Sequence, residues 1–180
     1  MAPSHMGLSL TTTSLAFQLN VTVQTLIDVF TVTGIVHYGT AGSSNDSMSF
    51  GDVSVPKLVA YTGAWTWKWV SLWKKFFWLP VDSAWFKIAE QLKVKLERCN
   101  NTFCLPTTPK VVYGLKGSSA DMFLDNAEYR KFLFREFGVS TVDEESAAVV
   151  MTTTSPGIPV IVFRGVSDWL EGNQHGRQQA

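Results

Sequence analysis

Asp168, with Ser167 before it, stands where an acid can act on a ligand. The apolar run Pro159–Gly165, predicted to be a buried strand, ends just before this pair. A carboxyl group at the end of a buried strand is shielded enough from water to keep a proton near neutral pH and act as a general acid. The alternative is an ordinary capping or turn aspartate.

A second acidic position is the run Asp143, Glu144 and Glu145, which opens a predicted helix over Asp143–Ser155. Carboxylates in a first turn interact favourably with the helix dipole, so a stabilised helix start is one interpretation. Three in succession exceed that need. A carboxylate at this place can also accept hydrogen bonds from two sugar hydroxyls.

Two segments of small residues are predicted to be loops after short strands. Gly39–Ser43 follows the strand Gly34–Tyr38, and its glycines can present backbone N–H groups to a phosphate or a ribose oxygen. Lys116–Ala120 follows the strand Lys110–Leu115, and Phe123 beyond it can stack on a base. A plain turn and a core phenylalanine are the alternatives.

The elements that must position these residues alternate between strand and helix along the chain. The further predicted elements are a helix around Val23–Phe30, a strand at Asp52–Thr62 with Pro56 at an edge or bulge, a helix from Ser83 to Leu96, a helix capped by Asp125 with Glu128 and stopped by Gly138, and a strand at Val139–Val142. Such alternation predicts a mostly parallel sheet with helices on its faces. We expect Gly34–Tyr38, Lys110–Leu115, Val139–Val142 and Pro159–Gly165 to share that sheet, with ligands gathering at the carboxyl ends of the strands.

The composition fits one globular domain. The chain has 180 residues, 46% hydrophobic and 17% charged, and its 15 basic residues equal its 15 acidic ones. This excludes a disordered chain or a coiled coil, and it leaves no global field for nucleic acid or an anionic membrane. We divide the chain into an irregular leader (1–20), a domain (21–170) and a polar tail (171–180), and we expect no signal peptide or membrane span.

Three local features leave alternatives open. Cys99 and Cys104 lack the companions that a zinc site needs, so no metal is expected, and a short-loop disulfide and a free thiol pair are both possible. Asn20, Asn45 and Asn100 begin Asn-X-Ser/Thr triplets, which often arise by chance. The segment Trp65–Trp85 holds six of the seven tryptophans; a cover over the core or a subunit contact is favoured over a membrane-interface or sugar-stacking surface.

These segments in series resemble the nucleoside phosphorylase superfamily. Gly34–Trp67 and Thr141–Asp168 carry the resemblance, and Lys116–Val149 is especially similar to plant bark storage proteins. The resemblance implies a three-layer α/β domain with a mostly parallel or mixed central sheet flanked by helices. Against the family pattern, this domain is expected to be truncated at both ends.

The resemblance also implies an activity: cleavage of the N-glycosidic bond of purine nucleosides by phosphorolysis or hydrolysis, as in nucleosidases. It implies no cofactor, phosphate as a possible co-substrate, a purine nucleoside as partner and a homo-oligomer, with no nucleic acid or membrane partner. The alternative is a catalytically impaired storage protein that keeps the scaffold. Such relatives suggest the vacuole or secretion, where Cys99 and Cys104 can pair.

The resemblance assigns roles by position. Asp168 would protonate the leaving base, and Ser167 would orient Asp168. The other implied site residues are Glu145 and Glu144 at the ribose, Phe123 and Ser119 at the base, and Thr40, Ala41, Gly42 and Ser43 at the phosphate or attacking water. Glu144 stands where nucleosidases usually have methionine. We therefore expect Glu145, Asp168, Phe123 and Gly42 to line one cleft.

Overall fold

The computed structural model of the chain describes residues 16–62 and 78–169. Its helices are α1 (Ala16–Val29), α2 (Ser83–Gln91), α3 (Ala127–Phe132), which continues into a π-helical turn (Leu133–Phe137), and α4 (Ser146–Thr154). Its strands are β1 (Ile35–Ser43), β2 (Val53–Tyr61), β3 (Trp78–Pro80), β4 (Val111–Ser119), β5 (Val139–Asp143) and β6 (Val160–Trp169).

The six strands form one mixed sheet in the order β3-β2-β4-β5-β1-β6. The pairs β1–β6, β2–β4 and β4–β5 are parallel, whereas β1–β5 and β2–β3 are antiparallel. The expectation that the four short apolar runs share one central sheet flanked by helices is confirmed. Because β1, β4, β5 and β6 belong to that sheet, their carboxyl-terminal residues can be brought together into one site.

The sheet curls on itself through β2. One edge of β2 pairs with β4 along the whole length of β4, and two other strands share the opposite edge. That edge pairs with β6 at Val53 and Ser54, and with β3 at Leu58–Ala60. The predicted irregularity at Pro56 is present as a shift of register against β4, which a residue without a backbone N–H tolerates.

The main core lies where α2 and α4 pack against β2 and β6, with α1 packed on α4. Its fully or nearly buried members are Val23, Val55, Val59, Val81, Phe86, Ala89, Val149, Val150, Val160, Ile161 and Val162. A smaller cluster joins β5 to the π-helical turn and consists of Leu124, Leu133, Val139 and Val142. The two clusters hold β5, β6 and the start of α4 in place, and these elements carry the acidic residues singled out in the sequence.

Both segments predicted to be loops are strand instead. β1 continues through Gly39–Ser43, and β4 continues to Ser119. The reason is that their backbones pair further: Gly42 lies opposite both Val142 and Asp168, and Ser118 lies opposite Val142. Small side chains therefore fill tight buried positions here and do not form a turn.

Two helices begin at residues other than those predicted. The N-cap of α3 is Asn126, whose Oδ1 accepts a hydrogen bond of 2.9 Å from the N–H of Tyr129, so the prediction of Asp125 as the cap is wrong. Gly138, with φ of 69°, ends the segment as expected because glycine adopts the left-handed conformation without a Cβ penalty. Helix α1 begins at Ala16, so residues 16–20 belong to it and not to an irregular leader.

The ends of the other two helices also differ from prediction. α2 stops at Gln91, and Leu92, which is 52% exposed, would bury little if the helix continued to Leu96. α4 begins at Ser146 and not at Asp143, because Asp143 is the last residue of β5. The acidic run therefore bridges a strand end and a helix start.

Part of the tryptophan-rich segment falls outside the described residues. Residues 63–77 are not among them, so the role of Trp65–Trp85 stays a prediction. In the ranges that are described, no helix is long and apolar enough to cross a membrane.

Candidate active site

One cleft of about 200 Å³ opens at the carboxyl ends of β1, β5 and β6 and beside the segment that follows β4. Its lining residues are Thr40, Ala41, Gly42, Met122, Phe123, Leu124, Val142, Asp143, Glu144, Glu145, Ser167 and Asp168. Glu145, Asp168, Phe123 and Gly42 are all among them, although more than a hundred residues separate the first from the last along the chain. The predicted convergence of these four residues on one cleft is confirmed.

Asp168 reaches the cleft through a bulge at the end of β6. Ala41 lies opposite Val166 and Gly42 opposite Asp168, so Ser167 is the extra residue on β6. A bulge redirects side chains that strict alternation would send to opposite faces. As a result, Ser167 and Asp168 both line the cleft.

The carboxyl group of Asp168 has little to stabilise its charge. Its Oδ1 is buried and has no hydrogen-bond partner among the described residues. Burial raises the pKa of Asp168, and the nearby charge of Asp125 raises it further. The protonated form is therefore favoured more than for an exposed aspartate, which is the property that a general acid requires.

Asp143 has the opposite surroundings at the end of β5. Its Oδ1 accepts hydrogen bonds from the hydroxyl of Ser119 (2.6 Å) and from the N–H groups of Glu145 and Ser146 (both 2.9 Å). The hydroxyl of Ser146 donates to Oδ2 at 2.5 Å. These bonds to the first backbone N–H groups of α4 fix the turn that carries Glu145 toward the cleft.

Arg164 is the buried cation that joins this network. Its Nε lies 2.9 Å from Asp143 Oδ2, and one of its terminal nitrogens lies 2.9 Å from Glu145 Oε2. The other terminal nitrogen donates to the carbonyl of Thr40 at 3.3 Å. Only 3% of the Arg164 side chain is exposed, so the ion pair with Asp143 is shielded from solvent.

The two carboxylates that pair with Arg164 have pKa values shifted in opposite directions. Burial raises the pKa of Asp143, but Arg164 and the Ser119 and Ser146 hydrogen bonds outweigh burial and hold that pKa below its usual value. For Glu145, burial outweighs the attraction of Arg164, and its pKa is raised, with Asp143 and Glu144 adding to the effect. Glu145 is the more exposed of the two, at 30% for its side chain, and is open to the cleft.

His37 on β1 completes the surroundings of Arg164. Its Nε2 contacts an Arg164 terminal nitrogen, and arginine has no acceptor, so Nε2 must be the unprotonated nitrogen of a neutral ring. Burial and the charge of Arg164 lower the pKa of His37 to about 4, with Asp143 opposing them. Gly39, the next residue on the same face of β1, leaves room for the guanidinium, because a Cβ there would overlap Arg164.

The remaining predicted residues divide into two groups. Thr40, Ala41, Gly42 and Glu144 line the cleft, and Phe123 lies at its mouth with 71% of its surface exposed. Ser119 and Ser43 are fully buried and do not line it. The Ser119 hydroxyl is occupied by Asp143 and by the N–H of Ala147, so its effect on the site passes through Asp143.

Sequence reasoning missed Arg164 and His37 and gave Asp143 no role of its own. A signal was present for Arg164: a single arginine inside the apolar run of β6 must be paired when it is buried. Nothing comparable marked its partners. In the described part of the chain, no group of three or more His, Cys, Asp or Glu side chains is placed to hold a metal ion.

The family model described as the phosphorylase superfamily matches residues 17–179, nearly the whole chain. The chain belongs to this superfamily. It is 34% identical to bark storage protein A of Populus deltoides, over 82% of this chain and 60% of that protein. It is 23% identical to the 5'-methylthioadenosine/S-adenosylhomocysteine nucleosidase of Buchnera aphidicola, over 82% of this chain and 56% of that enzyme.

Solved structures share the fold of this chain. The Helicobacter pylori enzyme MTAN matches with a TM-score of 0.64 and 20% identity, over 86% of this chain and 66% of that one. The futalosine hydrolase of Helicobacter pylori matches with a TM-score of 0.66 and 20% identity, over 87% and 64%. The chain thus spans about 60% of the length of the curated relatives that it matches.

Proposed function

We propose that this chain carries the catalytic cleft of a protein that hydrolyses the N-glycosidic bond of a purine nucleoside. The observation that carries the proposal is the meeting of Asp168, Glu145 and Phe123 in one cleft. Breaking this bond sends electrons to the base and leaves positive charge on the sugar. A proton donor at the base and a carboxylate at the sugar therefore both stabilise the transition state.

Asp168 is the group suited to protonate the leaving base. Its raised pKa favours the acid form, and its Oδ1 has no competing partner among the described residues. Phe123, exposed at the mouth of the cleft, offers a face on which a purine can stack. Ser167, placed beside Asp168 by the bulge in β6, is the neighbour that can orient it.

Glu145 is the group suited to the sugar. One of its oxygens is held by Arg164, which fixes the direction of the carboxylate, and the side chain is still partly exposed. The other oxygen can accept a hydrogen bond from a ribose hydroxyl. The negative charge of Glu145 would then oppose the positive charge that grows on the sugar ring.

The charge of the cleft favours water over phosphate as the attacking group. Besides the general acid Asp168, the described lining of the cleft holds three further acidic residues, Asp143, Glu144 and Glu145, and none of the described lining residues is lysine or arginine. A phosphate dianion would be repelled here, because Arg164 is already committed to Asp143 and Glu145. We therefore expect hydrolysis to be the main reaction and phosphorolysis to be a minor one.

The test is base release from adenosine, inosine and methylthioadenosine, with and without phosphate. Hydrolysis predicts release that phosphate does not accelerate. Titration calorimetry of the Phe123→Ala variant should show weaker binding of the nucleoside than the wild-type chain. Phe134→Ala is the matched control, because Phe134 is also exposed (40%) but lies outside the cleft. Release that depends strictly on phosphate would overturn the assignment to water.

A storage role is the second candidate, and the 34% identity to two bark storage proteins favours it. In that case the cleft remains as part of the scaffold without turnover. The two candidates separate in the same assay: a chain that binds a nucleoside but releases no base, or that binds none, supports the storage role. Measurable release that is lost on Asp168→Asn supports the enzyme.

A further inference from the structure

The loop before β4 carries a feature that the proposed function does not use. Cys99 and Cys104 form a disulfide, the first of the two states that the sequence left open. Between them lies the triplet Asn100-Asn101-Thr102, and residues 97–104 are exposed. Disulfides form and persist in oxidising compartments, which are also where asparagine side chains are glycosylated. We propose that Asn100 is an N-glycosylation site.

The local geometry brings the amide and the hydroxyl of the triplet together. Asn100 Oδ1 accepts hydrogen bonds from the Thr102 hydroxyl (3.1 Å) and from the N–H groups of Thr102 (2.9 Å) and Phe103 (2.7 Å). Its Nδ2 makes no hydrogen bond among the described residues. The amide nitrogen is therefore exposed, while the hydroxyl that the triplet requires already lies against the amide oxygen.

All these contacts lie within the loop itself. The backbone N–H of Asn100 bonds to the carbonyl of Phe103 at 2.9 Å, which closes the turn between the two cysteines. The arrangement thus needs neither the sheet nor the helices. It can form while the chain is still being synthesised, and because residues 97–104 are exposed in the described structure, a glycan there would extend into solvent.

The other two triplets are unsuited to the modification. Asn20 lies in α1, where residues i and i+2 point to different sides, and its Oδ1 accepts a hydrogen bond of 2.7 Å from Thr152. Asn45 is half-buried, and its Nδ2 donates to the Ser140 hydroxyl at 3.3 Å. A glycan at either position would displace a contact between distant parts of the fold.

The transfer balances without any group from this protein other than the amide. Asn100 Nδ2 forms a bond to the anomeric carbon of a lipid-linked oligosaccharide diphosphate. The bond from that carbon to the diphosphate oxygen breaks, and its electron pair leaves with the lipid diphosphate. Nδ2 loses one proton to the transferase.

The test is translation of the full chain, fused to a cleavable secretion leader, in the presence of microsomes. We expect a product with one glycan, which peptide-N-glycosidase removes and thereby converts Asn100 to aspartate. N100Q and T102A should abolish the modification, whereas T102S should retain it, and N20Q and N45Q should leave one glycan in place. This readout counts glycans whether or not a variant is later secreted.

Secretion of the same set from a eukaryotic host gives the second measurement, by intact mass and peptide mapping. One glycan mapped to Asn100 in the secreted protein supports the proposal. An unmodified Asn100 in chains that have entered the microsomes, or a glycan at Asn20 or Asn45 in place of Asn100, would overturn it.

Discussion

Asp143 and Asp168 lie near the ends of the two strands that flank β1, yet their carboxyl groups meet opposite surroundings. Asp143 accepts hydrogen bonds from Ser119 and Ser146 and pairs with Arg164, so its pKa is lowered although burial alone would raise it. Asp168 has a buried oxygen without a partner in the described structure, and its pKa is raised. The pKa values of two identical side chains in one cleft are thus shifted in opposite directions. Asp143, whose oxygens are hydrogen-bonded and paired with Arg164, holds the site together, whereas Asp168, whose buried oxygen has no partner in the described structure, is available to react.

The largest expected effect is on Asp168. If base release occurs, Asp168→Asn should slow it by about 10²–10⁴-fold, because a positioned general acid contributes that much. The free energy of unfolding, in contrast to the rate of base release, should not fall in this variant. A carboxyl group whose folded pKa is raised contributes stability below that pKa and loses it as the pH rises through it. At neutral pH the substitution should therefore leave the free energy of unfolding unchanged or higher, measured by urea denaturation.

Asp125 sharpens this test as a control. Its charge raises the pKa of Asp168, and it is exposed and does not line the cleft. Asp125→Asn should keep base release but shift the pH at which release declines to a lower value. A large loss of stability in Asp168→Asn, with base release intact, would contradict the distinction between the two aspartates.

Replacing Asp143 should lower stability, in contrast to replacing Asp168. Asp143→Ala leaves the buried Arg164 guanidinium without its main partner, and breaking a buried ion pair in this way costs about 3–5 kcal/mol. We expect the free energy of unfolding to fall by that amount at neutral pH. The matched control is Asp46→Ala, which removes the Asp46 carboxylate from a pair with the buried Arg130. Because the Asp46 side chain is 84% exposed, its loss should cost less; equal losses would show that burial of the carboxylate does not matter.

The space that Gly39 leaves for the guanidinium of Arg164 predicts a smaller effect on the free energy of unfolding. A Cβ at Gly39 would overlap the guanidinium, so Gly39→Ala should displace Arg164 and lower the free energy of unfolding by about 1–3 kcal/mol. Gly165 is the matched control on the neighbouring strand, because the nearest atom to its Cβ would lie 4.0 Å away, an ordinary contact. If the two alanine variants unfold at the same denaturant concentration, Arg164 does not depend on the missing side chain at Gly39.

The fold was largely predictable from the sequence, since short apolar runs between polar segments mark β1, β4, β5 and β6. The convergence of Glu145 and Phe123 was also predictable, because they follow β5 and β4, and parallel neighbours of one sheet end at the same edge. Asp168 reaches the same cleft by a route that this rule does not give, since it lies in β6, whose parallel neighbour β1 pairs antiparallel with β5. The loops at Gly39–Ser43 and Lys116–Ala120 were wrong: glycine and serine favour turns locally, and only pairing with distant strands shows that the strands continue. The Asp143–Arg164 pair was missed for the same reason, because its partners are not related by any spacing along the chain.

The last predicted effect, also on stability, concerns His37 and tests whether the network around Arg164 depends on a neutral ring. The folded pKa of His37 is about 4, against 6.5 in an unfolded chain. Between these two values the unfolded chain binds the proton more tightly, so the free energy of unfolding should fall as the pH falls from 6.5 to about 4. The expected loss is roughly 1–3 kcal/mol, because each pKa unit corresponds to about 1.4 kcal/mol and the neighbouring charges respond to the same proton.

His37→Gln keeps a neutral acceptor for Arg164 and removes the titration, so this variant should lose less stability than the wild-type chain over that range. Asp143 titrates in both proteins at lower pH, since its folded pKa lies below its usual value, and the difference between the two stability curves therefore isolates His37. Parallel curves for the wild-type and His37→Gln chains between pH 6.5 and 4 would show that His37 gains its proton without disturbing Arg164.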